Sequence, residues 1–306
     1  MGARMAGGPG PAPDPAVGAD EYGGLKGLAG EGWRPLALLR LFAIILITLP
    51  TYVFQSLVLL LRLPGWWVIP LAWHRLASRI LGFQVVRRGC RARGGPVLYV
   101  ANHISWADII VLGGLLPGAS FVAKAEVAGW GLFGHLAGLH RTLYIRRQSR
   151  HDSARQRDAL AGRVAAGDSL ILFPEGTSTD GMRVDPFKSA LFSVAERADE
   201  ASHHHLQIQP VTIAYTEVNG IPMVRSQKPW VAWLGDVELV RHFKDLLGRA
   251  RHGVTVEFHP PMTLAEAGDR KHLARACEVA VRAGLERALR SEQRLGPQST
   301  ASGEGN

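Results

Sequence analysis

The chain has 306 residues, 47% hydrophobic and 20% charged, which excludes wholesale disorder and allows one large domain with a buried core. Its two cysteines, Cys90 and Cys277, exclude a disulfide framework or a four-cysteine zinc site and fit a reducing compartment. The net charge is +9, and because residues 1–30 and 291–306 each carry −1, the chain between them holds +11, a surplus that suits anionic lipid, a phosphorylated substrate, an acidic carrier protein or nucleic acid.

Residues 1–30 are dominated by Gly, Pro and Ala. That composition supports neither a helix nor a ladder, so a disordered arm is expected there. It is not read as a signal peptide, because no apolar stretch follows the first few residues. The strongest hydrophobic signal comes next. Leu41–Leu61 is free of charge and is bracketed by Arg40 and Arg62. About 20 apolar residues are what a bilayer-spanning helix needs, and Trp66, Trp67 and Trp73 supply the aromatic belt of a membrane boundary. Pro50 and Gln55 allow a kinked or re-entrant course. Residues 36–80 are thus expected to be a membrane-anchoring helical segment. Arg62, Arg75, Arg79, Arg87, Arg88, Arg91 and Arg93 follow the span, which by the positive-inside rule leaves the long C-terminal part in the cytoplasm.

From residue 81 to 290 the pattern is that of an α/β domain. Strands are expected at Phe83–Val86, Val97–Ala101, Ser120–Ala123, Thr142–Ile145, Ser169–Phe173, Ile208–Tyr215 and Val254–Phe258. Helices are expected at Asp152–Ala166, stopped by Gly167, and at Phe187–Ala198 and Lys271–Leu289. Alternating strand and helix imply a mixed sheet flanked by helices on both faces. Residues 291–306 read as a polar tail.

Two clusters could carry chemistry. Asn102-His103-Ile104-Ser105-Trp106-Ala107-Asp108 follows the second strand directly. On a continuous helix, residues five apart do not share a face. His103 and Asp108 therefore meet only if His103 sits in a strand-to-helix turn and Asp108 in the first helical turn. Ser105 suits the N-cap, and Asp108 stands where a capping-box acid would; the same residues could do no more than start a helix. Phe173-Pro174-Glu175-Gly176-Thr177 ends the apolar strand at Ser169–Phe173 and places a carboxylate, a glycine and a hydroxyl at the sheet's carboxyl edge, where ligands of open α/β sheets bind. A tight turn with an exposed Glu is the alternative.

His103-x₄-Asp108, followed about seventy residues on by Phe173–Thr177, resembles the glycerolipid acyltransferase family, which includes enzymes that acylate 1-acylglycerol-3-phosphate. Thr142–Arg147 is similar to the family's second block, with Arg147 on its arginine, and Gln209-Pro210-Val211 to its fourth. Lys124 and Lys188 also fall where the family has them. The resemblance implies a glycerol-3-phosphate acyltransferase-like fold behind an N-terminal membrane helix, with His103 as general base and Asp108 fixing its tautomer. No covalent intermediate is needed, and Ser105 is expected to cap rather than attack. Glu175, Gly176 and Thr177 would help bind the acceptor, with Arg147 and Lys124 offering positive charge. No metal or cofactor is implied; acyl-carrier protein or acyl-coenzyme A would be the co-substrate. One departure is informative. After Thr177 the family usually has arginine, and this chain has Ser178. Glu175–Gly181, Pro186–Phe192, Gln209–Thr216 and Arg270-Lys271 are more similar to the bacterial lyso-ornithine-lipid acyltransferases, which acylate a phosphorus-free lipid.

The expectation is a bacterial inner-membrane enzyme facing the cytoplasm and esterifying a lyso-lipid, with lysophosphatidate as the alternative acceptor. A non-catalytic lipid-binding protein would not need the His103/Asp108 pair. No nucleic-acid motif and no G-x-S-x-G elbow are present. His203-His204-His205 is read as a solvated loop, since adjacent histidines point in alternating directions.

Overall fold

The computed structural model describes residues 33–145, 160–193, 195, 196, 199, 206–234, 237–249 and 251–294. The expected arm, Arg147, the start of the Asp152–Ala166 helix and His203–His205 lie outside the described residues.

Among the described residues eight strands form one sheet: β1 (Phe83–Arg88), β2 (Val97–Ala101), β3 (Ala119–Lys124), β4 (Leu143–Ile145), β5 (Ser169–Leu172), β6 (Gln207–Val218), β7 (Ile221–Pro222) and β8 (His252–Phe258). Their order is β1-β8-β6-β2-β5-β3-β4, with β7 paired to β6. All seven expected strands are present; β7, a two-residue hairpin return after Asn219-Gly220, is the addition. The sheet is mixed because β6 runs antiparallel to β8 and β7. From β6 through β2, β5 and β3 to β4 every pairing is parallel. These strands therefore share one carboxyl edge.

β2 lies between β6 and β5 and is buried throughout. Its period of two divides the core. Val97, Tyr99 and Ala101 join the cluster on one face, with Ile171, Val211 and Ile213. Leu98 and Val100 join the other, with Leu170, Leu172 and Ile208. The first face is covered by helices α2 (Val68–Ile80), α3 (Ala107–Leu115) and α5 (Leu239–Leu247). Helix α4 (Leu132–Leu139) leads from β3 into β4, and the single turn α6 (Leu264–Ala267) follows β8. The second face is covered by α7 (Arg270–Arg294), which buries Leu273, Ala274, Cys277, Val281, Leu285 and Ala288 at helical spacing. The expected Lys271–Leu289 helix thus runs five residues further at its C-terminal end. The region expected as helix Phe187–Ala198 opens instead with a 3-10 turn at Ser189–Phe192.

Helix α1 (Arg34–Leu60) runs through Pro50 and is long and apolar enough to cross a membrane. It does not stand clear of the domain. Ala37, Leu41, Ile44 and Ile47 pack against the first core. Arg40 donates to the carbonyls of Leu247 and Arg249, and Gln55 Nε2 donates to those of Trp66 and Leu139. Trp73 Nε1 donates to Thr48 Oγ1 at 3.0 Å. Polar contacts thus tie one side of α1 to the domain at both ends and in the middle. On the opposite side Leu38, Phe42, Leu46, Leu49, Val53 and Phe54 are each at least 60% exposed.

Candidate active site

The carboxyl end of β2 delivers the chain into Asn102, whose buried amide locks onto β6: Nδ2 donates to Ile213 O at 2.9 Å and Oδ1 accepts from Ile213 N at 2.8 Å. This pairing extends the β2–β6 ladder by one residue in side-chain form and fixes where the turn begins. His103 comes next, and α3 starts four residues later. The turn expected from the His–Asp spacing is present, and it brings the two together. His103 Nδ1 lies 2.8 Å from Asp108 Oδ2.

Asp108 is fully buried and its carboxylate is saturated. Oδ2 also accepts from the backbone N–H of Ile104 at 2.7 Å and of Ser105 at 2.9 Å; Oδ1 accepts from the Tyr215 hydroxyl at 2.8 Å. A buried carboxylate needs such donors, because desolvation otherwise costs several kcal/mol. Tyr215 stays a donor, since burial and the adjacent Asp108 push its phenol well above the usual range. The ring of His103 stacks on Phe173 at 4.3 Å and 21°, and Phe173 in turn lies parallel to Phe121. The imidazole is thus held at Nδ1 and along one face. Its side chain keeps 18% exposure, and Nε2 makes no hydrogen bond among the described residues. With Nδ1–H donated to the carboxylate, Nε2 carries the lone pair on a side chain that stays partly exposed at the carboxyl edge.

Ser105 serves the start of α3 by a longer contact than an ideal cap. The N-cap of α3 is Trp106, which makes no side-chain cap. The Ser105 hydroxyl is buried and accepts only a 3.3 Å contact from Ala107 N. Asp108 supplies the reciprocal half of a capping box by accepting from Ser105 N, while the Ser105 hydroxyl takes Ala107 N in place of Asp108 N. A fully buried serine also has no place as a nucleophile.

The second cluster leaves β5 at the same edge. Glu175 does not face solvent as an acceptor ligand would. Its carboxyl group is buried, with Oε1 accepting from His103 N and Oε2 from Asp185 N, both at 2.7 Å. Burial pushes its pKa up to about 8, against the two backbone donors, which pull it down. Gly176 has φ +76, a backbone that favours glycine and turns the chain away from the sheet. Thr177 and Lys124 are exposed, Lys124 at the end of β3 two strands from β2. Ser178 donates its hydroxyl to Trp233 O, and Trp233 N donates to Ile104 O at 2.9 Å, so residue 178 is tied to a segment that itself clasps the His103 turn. Trp233 packs edge-on against Trp130 at 5.9 Å beside this edge. Sequence reasoning missed Tyr215 and Asn102; a polar tip within the apolar run of β6, and an Asn directly after a buried strand, were the available signals. Among the described residues no group of three or more His, Cys, Asp or Glu is placed to hold a metal ion.

A buried Asp holding an imidazole whose other nitrogen is open suits proton abstraction from a hydroxyl. Comparison with known proteins identifies the setting. The acyltransferase family model matches residues 82–215. The lyso-ornithine lipid O-acyltransferase of Brucella abortus (strain 2308) is 43% identical over 249 residues, 81% of this chain and 92% of that one. The chain belongs to the acyltransferase family. This acyltransferase is also 30% identical to the 1-acyl-sn-glycerol-3-phosphate acyltransferase of Neisseria gonorrhoeae over 71% of its own length and 79% of that protein's. Its fold is that of the crystal structure of the 1-acyl-sn-glycerophosphate acyltransferase from Thermotoga maritima, with TM-score 0.50, 18% identity, and coverage of 81% of this chain and 97% of that one.

Proposed function

We propose that this acyltransferase moves a fatty acyl group from an acyl thioester to the hydroxyl of a lyso-lipid, with lyso-ornithine lipid as acceptor. The observation that carries the chemistry is the open Nε2 of an imidazole fixed by Asp108. Nε2 takes the hydroxyl proton as the acceptor oxygen attacks the thioester carbonyl. The tetrahedral adduct collapses, the C–S bond breaks, and the imidazolium returns the proton to the leaving thiolate. Asp108 stabilises the imidazolium between these steps, and no enzyme-bound acyl group forms. Acyl-carrier protein or acyl-coenzyme A serves as donor. Thr177, Gly176, Lys124 and Arg147 are the residues assigned to hold the acceptor, Glu175 being occupied internally.

The enzyme sits on the cytoplasmic membrane with its catalytic edge toward the cytoplasm. Helix α1 lies in the plane of the interface rather than across it. Its length of about 40 Å at 1.5 Å per residue would span a bilayer. A spanning course, however, would place the docked side, and the domain bound to it by Arg40, Thr48 and Gln55, within the hydrocarbon. The exposed apolar side then faces lipid and the tied side faces protein.

The acceptor assignment follows the relative at 43% identity. It is tested by offering the purified enzyme lyso-ornithine lipid and lysophosphatidate together in mixed micelles with one labelled acyl thioester. Preference for lyso-ornithine lipid by about tenfold or more, the scale of one good polar contact, is expected. Preference for lysophosphatidate would replace the acceptor and keep the chemistry.

A further inference from the structure

His103 is held by its backbone as firmly as by its ring. Its N–H donates to Glu175 Oε1 at 2.7 Å, and its carbonyl accepts from Thr179 N at 2.9 Å and from the Thr179 hydroxyl at 3.2 Å. Both peptide groups of the base are therefore satisfied by the loop running from Pro174 to Lys188. That loop is closed at its neck by Lys188 N donating to Pro174 O at 3.0 Å. At Gly181, φ +74, an added Cβ would lie 3.1 Å from the Ile104 side chain, so the loop also packs tightly on the residue after the base.

The far side of the loop is held in the same way. Glu175 spends its second oxygen on Asp185 N. Two residues on, Phe187 N donates to Glu278 Oε2 at 3.0 Å. Glu278 belongs to α7, outside the segment matched by the family model, and is buried. Its other oxygen takes Arg275 Nη1 at 3.0 Å and Arg282 Nη2 at 2.8 Å, so the carboxylate is compensated and anchored on its own helix. A continuous run of carboxyl-to-amide contacts thus leads from α7 through Glu278, the 185–187 backbone and Glu175 to the amide of His103.

We propose that Glu175 and Glu278 form a two-carboxylate brace that positions His103, and that Glu175 acts through the base rather than on the acceptor. To reach an acceptor, Glu175 would have to abandon two buried N–H groups, one of them that of the base itself. Glu278 extends the catalytic apparatus into the C-terminal helix. The brace rests on the reading of His103 as base, which His103→Ala tests by itself.

The test is steady-state kinetics of Glu175→Gln, Glu278→Gln and the double variant, on whichever acceptor the wild type uses, with melting temperatures measured alongside. Misplacement of a reacting group by about 1 Å can cost about 100-fold. Glu175→Gln should lower kcat by about 10- to 100-fold and Glu278→Gln by about 3- to 10-fold, with acceptor KM within about twofold in both. The double variant should lose less than the product of the two, because both act on one segment. A rise in acceptor KM with kcat retained in Glu175→Gln would make that residue a ligand and overturn the proposal. So would a Glu278→Gln enzyme with wild-type kcat. Should Glu175→Gln not fold, Glu278→Gln decides alone: its amide oxygen can still accept from Phe187 N–H, while its NH2 group replaces the oxygen that held Arg275 and Arg282, so the anchor is weakened and the fold is retained.

Discussion

The turn that carries His103 and the outer side of α1 are opposites in how they satisfy their atoms. In the turn, Asp108 has four donors, Glu175 has two, and both backbone groups of His103 are bonded within the protein. On α1, Leu38, Phe42, Leu49 and Phe54 are 60% exposed or more and belong to no core cluster among the described residues. The first region is complete in itself and is built to keep a geometry. The second is stable only next to something that is not water. Chemistry and anchoring are therefore separable, and a change in one should leave the other standing.

The sharpest separation on the catalytic side comes from Asp108→Asn. Asparagine can keep its oxygen toward His103 and the two backbone N–H groups and turn its amide to the Tyr215 oxygen, so the shape survives and the charge does not. Turnover should fall by about 10²- to 10⁴-fold, with acceptor KM changed little and membrane attachment unchanged. Equal losses in both kinetic constants would mean that the carboxylate also binds substrate. On the anchoring side, replacing Leu38, Phe42, Leu49 and Phe54 together with Gln should move the enzyme from the membrane to the soluble fraction. Each apolar side chain contributes about 1.5–3 kcal/mol when withdrawn from water. The wild type should resist high salt and yield to detergent, because burial of apolar surface is not screened. Release of the wild type by salt alone would make charge the anchor.

A smaller effect separates the two sides by pH. His140 and His74 are buried beneath α1, edge-to-face at 4.9 Å, and Nδ1 of each has no hydrogen-bond partner among the described residues. Burial pushes the pKa of His140 down to about 4, and that of His74 well below its usual range. The unfolded chain binds protons there first, so the stability these neutral rings contribute is present above about pH 6.5 and is lost as pH falls toward 4. For His140 that is about 3 kcal/mol. Glu175 has the opposite sign: its raised value means a contribution present below about pH 4.5 and lost as pH climbs to about 8. His140→Phe should flatten the acid limb of a melting-temperature profile and leave the alkaline limb in place. An unchanged acid limb would assign acid lability elsewhere.

The strands were legible because β-branched and aromatic runs bounded by glycine are local signals, and the meeting of His103 with Asp108 followed from one turn. Gln55 stood out in the sequence only as a blemish in an apolar run, and Thr48 did not stand out at all. In the structure they are the docking contacts, which depend on Trp66, Trp73 and Leu139 being brought alongside. Glu175 could not be read at all: nothing near it in sequence says whether a carboxylate at a strand end turns outward to a ligand or inward to an amide 72 residues away. Glu278, 91 residues from Phe187, is illegible for the same reason. Helices α4 and α5 went unlisted among the expected elements because each is short, with eight and nine residues.

The measurement that bears most directly on this account is acyl transfer by His103→Ala recovered from the membrane fraction. The account predicts a protein that sediments with membranes like the wild type, melts at the same temperature, and transfers no labelled acyl chain to lyso-lipid above about 10⁻³ of the wild-type rate. Turnover near wild type in that preparation would contradict it, since no base would then be needed at the carboxyl end of β2.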